Sequence, residues 1–171
     1  VGVGGAAGAE EADVGSGAWT LVARPEADAE EMMEEKDAEL WNWSGTHCVV
    51  VPRFVTPSTV AAAEDWFVAA TKTESQVRPV GSLISPNAIG METNTSLISM
   101  ALCDRLCDVV EQEDGSTQVT FEAGARVEAA TAALRPLGLV LENYASIADQ
   151  QLSGFTQVSA HGTGARIPPV D

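Results

Sequence analysis

The stretch Val77-Arg78-Pro79-Val80-Gly81-Ser82-Leu83-Ile84-Ser85-Pro86-Asn87 reads as a short buried strand that runs straight into a Gly-Ser turn. A strand that breaks into a tight turn leaves several main-chain N–H groups without ladder partners, and such a run can cradle phosphate without a helix N-terminus. Upstream, Cys48-Val49-Val50-Val51 is expected to form a strand ended by Pro52. Ser58 is a candidate N-cap for a helix over Thr59 to Thr71, whose spacing places Val60, Ala63, Phe67 and Ala70 on one inward face. Strand, helix and strand with short links make a βαβ unit. That unit delivers Gly81 and Ser82 at the carboxyl end of a strand, where open α/β arrangements bind ligands.

Downstream, Ser96 to Ala101 and Leu106 to Val110 read as strands, and Asp114-Gly115 is a hairpin turn signal. Gln118 to Ala123 alternates, with Val119, Phe121 and Ala123 facing in. Arg126 to Arg135 has helical spacing with Val127, Ala130 and Leu134 inward, and Pro136 stops it. A short strand over Leu139-Val140-Leu141 then leads to a second polar loop. This loop runs from Tyr144-Ala145-Ser146-Ile147-Ala148-Asp149-Gln150-Gln151-Leu152-Ser153-Gly154 to Ser159-Ala160-His161-Gly162-Thr163-Gly164. Small residues there allow a backbone to come close to a ligand, and the Gly-Thr-Gly step lets N–H groups converge on one point. The fold class expected is α+β, a small βαβ lobe followed by a mostly antiparallel lobe.

The amino-terminal part is different. Val1 to Ala18 is rich in Gly and Ala, and Gly2, Gly4 and Ala7 nominally match a dinucleotide fingerprint. No strand precedes them, so a Rossmann reading is set aside. Trp19 to Ala23 could form an isolated strand. Glu26 to Glu39 is acidic with a thin apolar stripe, which predicts a solvated helix or a linker. Order is expected from about Leu40, with Trp41 and Trp43 anchoring the chain on a core. The expected division is a flexible segment over 1–38 and a folded domain over 39–171.

The 171 residues, 45% of them hydrophobic, suffice for one modest core. The chain begins at Val1 and ends at Pro168-Pro169-Val170-Asp171, which reads as a piece of a longer protein. A net charge of -16 argues against a nucleic-acid partner and against charge-driven docking on anionic membranes, and allows a basic protein partner. Three cysteines, Cys48, Cys103 and Cys107, without a C-x-x-C pair give neither a disulfide framework nor a zinc signature; Cys103 and Cys107 are expected to be buried free thiols. Asn42-Trp43-Ser44 and Asn94-Thr95-Ser96 are glycosylation sequons that matter only in a secreted protein.

Four groups of residues together carry a resemblance. They are Asn42-Trp43-Ser44-Gly45-Thr46-His47; Arg78 to Ser82 with Ser85-Pro86-Asn87; Asn143 to Ile147 with Gln150-Gln151; and Ala160 to Arg166 with Pro168-Pro169. In order and spacing the series resembles the N-terminal FAD-binding part of the aldonolactone oxidoreductases, in particular the plant-type L-galactono-1,4-lactone dehydrogenases. These belong to the vanillyl-alcohol oxidase-like, PCMH-type flavoprotein superfamily. The resemblance covers about Glu39 to Asp171.

The resemblance implies FAD as cofactor, with Gly81, Ser82, Leu83, Ile84 and Ser85 on its phosphates. Ala145, Ser146, Gly154, Ser159, Ala160, His161, Gly162, Thr163 and Gly164 would line the flavin and its linker. Relatives that bind flavin covalently carry a His where Ile84 stands, so FAD is expected to be non-covalent. The plant-type pattern has Gly where Leu83 stands, a departure that either shifts the turn or weakens binding. Ala145 corresponds to Ala in dehydrogenases of the family and Gly in oxygen-using relatives, which implies a dehydrogenase. An oxygen-using lactone or alditol oxidase, or a non-catalytic binding fragment, are the alternatives. The family further implies a sugar-lactone substrate, cytochrome c as electron acceptor, a possible role with a respiratory complex I assembly intermediate, and a mitochondrial location. Acid and base groups are expected in a C-terminal substrate domain. Arg78 and Arg166 are candidates for phosphate, a surface salt bridge or an interdomain contact; His161 invites a general-base role but is expected in a structural or cofactor-contacting one; and His47 is expected to fix the start of the domain.

Overall fold

The computed structural model describes residues 32–73 and 76–168. The fingerprint at Gly2, Gly4 and Ala7, the strand at Trp19 to Ala23 and the flexible reading of 1–31 lie outside the described residues. Two sheets carry the fold. The first has four strands in the order β1-β2-β4-β3: β1 (Met32–Trp41), β2 (Cys48–Pro57), β3 (Val77–Val80) and β4 (Ser96–Ser99). The second is a hairpin of β5 (Leu106–Glu111) and β6 (Thr117–Phe121). Helix α1 (Val60–Lys72) joins β2 to β3, α2 (Val127–Leu134) follows the hairpin, and α3 (Leu152–Gln157) comes last. This is the expected α+β architecture.

From Met32 on, the acidic run is strand, not helix or linker; its residues 26–31 lie outside the described residues. β1 pairs antiparallel with β2 from Met32↔Pro57 to Trp41↔Cys48, so the expected start at Leu40 and the 38/39 division both fall inside a strand. One charge of the run is held in place. Arg53 Nε and Nη2 donate to Glu34 Oε1 and Oε2 at 2.7 and 2.9 Å, and the guanidinium lies 5.5 Å from the Trp66 ring centroid. That hydrogen-bonded pair holds the Glu34 carboxyl below its usual range. Pro52 does not end β2. It lies opposite Asp37, whose φ is +50°, and the register is the same on both sides of that pair. Pro52 lies where β2 pairs with β1 alone, since β4 joins only at Phe54 and Val55. The missing N–H therefore costs nothing on the other side.

The βαβ unit is present with one strand inserted. β4 lies between β2 and β3 and is parallel to both. Its neighbours Leu97 and Ile98 point to opposite faces of the sheet. Leu97 packs with Ala38, Val49, Val51 and Val80 under Leu83 and Met91 of the 81–95 loop. Ile98 packs with Val55, Ala63, Trp66 and Ala70, so α1 covers that face. The helix is capped by Thr59, whose Oγ1 accepts from Ala62 N at 3.1 Å, rather than by Ser58. Its buried face is Ala62, Ala63, Trp66 and Ala70; Val60 and Phe67, expected inside, are 45% and 50% exposed. Trp41 and Trp43 are exposed too and do not anchor the core.

In the second half, the Asp114-Gly115 turn closes through Gln112 N to Ser116 O at 2.8 Å, with Gly115 at φ +82°. α2 buries Val127, Ala130 and Leu134 as its spacing predicts. Leu139 to Leu141 is not a strand. After Pro136, Gly138 takes φ +72° and Leu139 N bonds back to Leu134 O, which turns the chain onto the surface and leaves Val140 74% exposed. Cys103 is buried, and burial raises its thiol pKa; Cys107 is only half-buried.

Candidate functional site

The carboxyl ends of the parallel strands β3 and β4 open at one edge, where Gly81 and Met100 follow them. A cavity of about 600 Å³ lies there. One wall is Gly81 to Asn87; the other comes from Ile147, Gln150, Gln151 and the start of α3, Ser153 and Gly154.

The first wall is held by the β1–β2 hairpin tip. Asn42 is 3% exposed, and its Oδ1 accepts from the N–H groups of Thr46 and His47, both at 3.0 Å. Its Nδ2 donates to Ser44 Oγ, Thr46 Oγ1 and, 43 residues away, Ser85 O at 3.2 Å. Trp43 N donates to Leu83 O at 3.0 Å. In a planar trans peptide the C=O and the next N–H point in opposite directions. Holding the Leu83 carbonyl on the hairpin therefore turns the Ile84 N–H away from it. Asn42 is buried and engaged, so its sequon is not open to glycosylation in the folded chain.

Leu83 has φ +52°, in the left-handed region that glycine prefers. The turn has therefore not shifted to suit leucine. The side chain instead packs on the Leu97 core cluster. Left-handed backbone at a residue with a Cβ costs about 1–2 kcal/mol. We expect Leu83→Gly to be more stable than Leu83→Ala by about 1 kcal/mol, the reverse of the usual order, because Ala keeps the strain and loses the packing. Denaturant melts of the two variants check this, and Ala equal to or above Gly would refute it.

The second wall is fixed through its backbone. Val127 N and Glu128 N donate to Gln150 O and Ala148 O, while Leu152 N and Ser153 N donate to Ala125 O and Ala123 O. Segment 148–153 is thus zipped along 123–128, and it caps the first turn of α2 in place of a side chain. Ser82 Oγ donates to Asp149 O at 2.8 Å and ties the walls together. Between Gly81 and Gly154 the backbones approach closely; a Cβ on either would stand 3.9 Å from the other's Cα, in the space between the loops.

Of the residues expected at the site, Gly81, Ser82, Leu83, Ile84, Ser85 and Gly154 line this cavity. Ala145, Ser146, Ser159, Ala160, His161, Gly162, Thr163 and Gly164 do not. Asn143 explains why, because it draws these segments into a knot of their own. It is 6% exposed, its Oδ1 accepts from Gly162 N at 2.7 Å, and its Nδ2 donates to Ile167 O and Pro168 O. A Cβ on Gly162 would lie 2.7 Å from Tyr144 O. That glycine permits chain-to-chain contact, and its N–H is already used. His161 is exposed, its Nδ1 2.6 Å from Gly162 O. His47 bonds Thr46 and Asn42 at the β1–β2 hairpin tip, after a full strand and not at the start of the described sheet. Arg78 lines the cavity but pairs with Glu92 at 2.9 Å, the surface salt bridge among its expected roles. Sequence reasoning missed α3, whose Ser, Gly and Thr are poor helix formers, although Phe155 is fully buried beneath it.

The FAD binding domain family matches residues 51–169 of this chain. The chain belongs to that family. It is 42% identical over 130 residues to the protein named L-galactono-1,4-lactone dehydrogenase, mitochondrial, of Brassica oleracea. That match covers 76% of this chain and 21% of the relative. It is 34% identical over 128 residues to a Mycobacterium tuberculosis protein named L-gulono-1,4-lactone dehydrogenase, covering 74% of this chain and 29% of the relative. The chain thus spans about a fifth to under a third of the relatives it matches. A cholesterol oxidase from Brevibacterium sterolicum shares the fold, with TM-score 0.65 at 19% identity over 84% of this chain and 27% of that one.

The residues present fit the family's cofactor, FAD. Gly81 and Gly154 leave room between the walls, the first wall presents backbone and hydroxyl groups, and the amide oxygens of Gln150 and Gln151 are buried without partners. Among the described residues Arg78 is the one charged residue lining the cavity. Phosphate charge would therefore be met by oriented N–H groups more than by cations.

Proposed function

We propose that this chain is the cofactor-holding part of an FAD-dependent aldonolactone dehydrogenase. Its substrate would be L-galactono-1,4-lactone, with ascorbate as product. The observation that carries this reading is the 42% identity to plant proteins of that name, over a segment that includes both cavity walls. Gly81 to Ser85 would hold the phosphates, with the flavin end directed past Ile147 and Val158 toward Ala145, Ser146 and the 159–164 run. FAD supplies the two-electron acceptor chemistry. The chain's residues bind and orient it. Among the described residues no acid or base near neutral pH lines the cavity, so we place the groups that take the lactone's protons outside them.

Ile84, which has no nucleophile, lines the cavity where covalent relatives are expected to carry a His, and this supports a non-covalent cofactor. The purified protein is expected to be yellow, absorbing at ~450 nm, and to release its colour into the supernatant on acid precipitation. Colour retained in the pellet would exclude the non-covalent reading. A protein that stays colourless after FAD is added would exclude FAD itself and leave a binding role in respiratory complex assembly. Ala145 supports a dehydrogenase, so reduced flavin should reoxidise slowly in air and fast with cytochrome c. Rapid oxygen consumption would favour an oxidase. Cytochrome c is basic and this chain carries -16, so that rate should fall as salt rises; a salt-independent rate would remove cytochrome c as the acceptor. The names of the plant relatives support a mitochondrial location. Among the described residues no helix is long and apolar enough to cross a membrane.

A further inference from the structure

Gln151 is 4% exposed, and its Oε1 has no hydrogen-bond partner. The Oε1 of Gln150 beside it is in the same state. Both residues line the cavity, and Gln151 Oε1 lies 3.6 Å from where a Cβ on Gly81 would be. A buried carbonyl left unpaired is costly, and two adjacent ones call for a donor. Neither can escape by a small backbone shift, because 148–153 is zipped to 123–128 on both sides of them. Gln151 precedes α3, yet its side chain makes no capping bond there. The third such atom among the described residues, Trp66 Nε1, belongs to the core cluster under α1 and is not part of this cavity.

The chemistry of the two atoms limits what can face them. Amide oxygens only accept, and phosphate oxygens also accept, so a phosphate placed against them would be repelled. A hydroxyl satisfies them. Resting on the FAD reading above, we propose that Gln150 and Gln151 are cofactor-binding residues that accept hydrogen bonds from the hydroxyl-bearing, sugar-like part of FAD. The cavity then has two chemically opposite walls. Gly81 to Ser85 donates to the phosphates, and the glutamine pair accepts from the adjoining hydroxyls, which sets the cofactor's direction along the groove.

The test is Gln151→Met, which keeps the side chain's length and removes the amide, with Gln150→Met made in parallel. Each full chain is stripped of flavin, melted, and then titrated with FAD by flavin fluorescence. For Gln151→Met the flavin-free melting temperature should hold or rise, because an unpaired buried carbonyl is gone. The Kd for FAD should rise about tenfold or more. A purely structural role moves both readouts the same way. Wild-type FAD affinity in both variants would overturn the proposal. So would a lower flavin-free melting temperature in both, since the amides would then have partners within the fold. Wild-type protein that fails to bind FAD would overturn the cofactor reading itself, a result separable from failure in the variants alone.

Discussion

Gly124→Ala is expected to destabilise the fold strongly. Gly124 follows β6 and is buried, and its N–H donates to Cys103 O at 2.8 Å. A Cβ built there would overlap the carbonyl oxygen of Met100 and stand 2.6 Å from its carbon and 2.8 Å from Cys103 O. All three are main-chain atoms, so no rotamer change relieves them. The Met100 to Cys103 turn would have to move, and Cys103 N to Met100 O holds that turn at 2.8 Å. Met100 also lines the cavity, and Ala123 and Ala125, on either side of Gly124, accept the bonds that dock segment 148–153. The clash therefore reaches both walls of the site. We expect a cost of at least about 3 kcal/mol, against a total stability on the order of 5–15 kcal/mol for a domain. The measurement is soluble yield and far-UV circular dichroism of Gly124→Ala beside Gly162→Ala. A Gly124→Ala chain with a wild-type melting temperature would show that the turn does not sit as described.

What the sequence discloses and what it hides divide along a physical line. Features set by local chemistry are legible: the strand and turn over Val77 to Ser82, the Asp114-Gly115 turn, and the buried stripe of α2. Features set by a distant partner are not. Nothing within Met32 to Trp41 makes it a strand; β2 does, by pairing along its whole length. On α1 the set Val60, Ala63, Phe67 and Ala70 and the set Ala62, Ala63, Trp66 and Ala70 both have helical spacing, and only the packing of Trp66 on Val55 and Ile98 chooses the second. The same holds for the site. Gly81 to Ser85 is recognisable because a glycine-rich turn after a strand means something locally. Gln150 and Gln151 are recognisable as polar amides of a ligand loop, but that their Oε1 atoms are buried without partners is visible only once 148–153 is docked along 123–128. The close approaches of Gly162 to Tyr144 O and of Gly164 to the Ile167 side chain are likewise invisible locally, because a glycine reads the same whatever comes near it.

Asn42→Ala and Asn42→Asp should separate stability from cofactor binding. Alanine removes the acceptor for Thr46 N and His47 N and the donor to Ser85 O together. It should cost about 2–3 kcal/mol through partly buried groups left unpaired, and weaken FAD binding because the 83–86 loop loses its tie. Aspartate is different. One carboxylate oxygen keeps the two N–H bonds, and the hydroxyls of Ser44 and Thr46 can turn to donate to the other. Ser85 O cannot, because a carbonyl only accepts, so two oxygens now face each other. Asn42→Asp should therefore fold nearly as well as wild type near neutral pH but bind FAD less tightly. The two N–H groups and two hydroxyls that donate to the carboxylate hold it ionised near neutral pH, so the two facing oxygens stay in place. Titrations with FAD, alongside melts, make the comparison. If Asn42→Ala loses stability while its FAD affinity stays at the wild-type level, the hairpin tip supports the fold only, and the first wall is held by something other than Asn42.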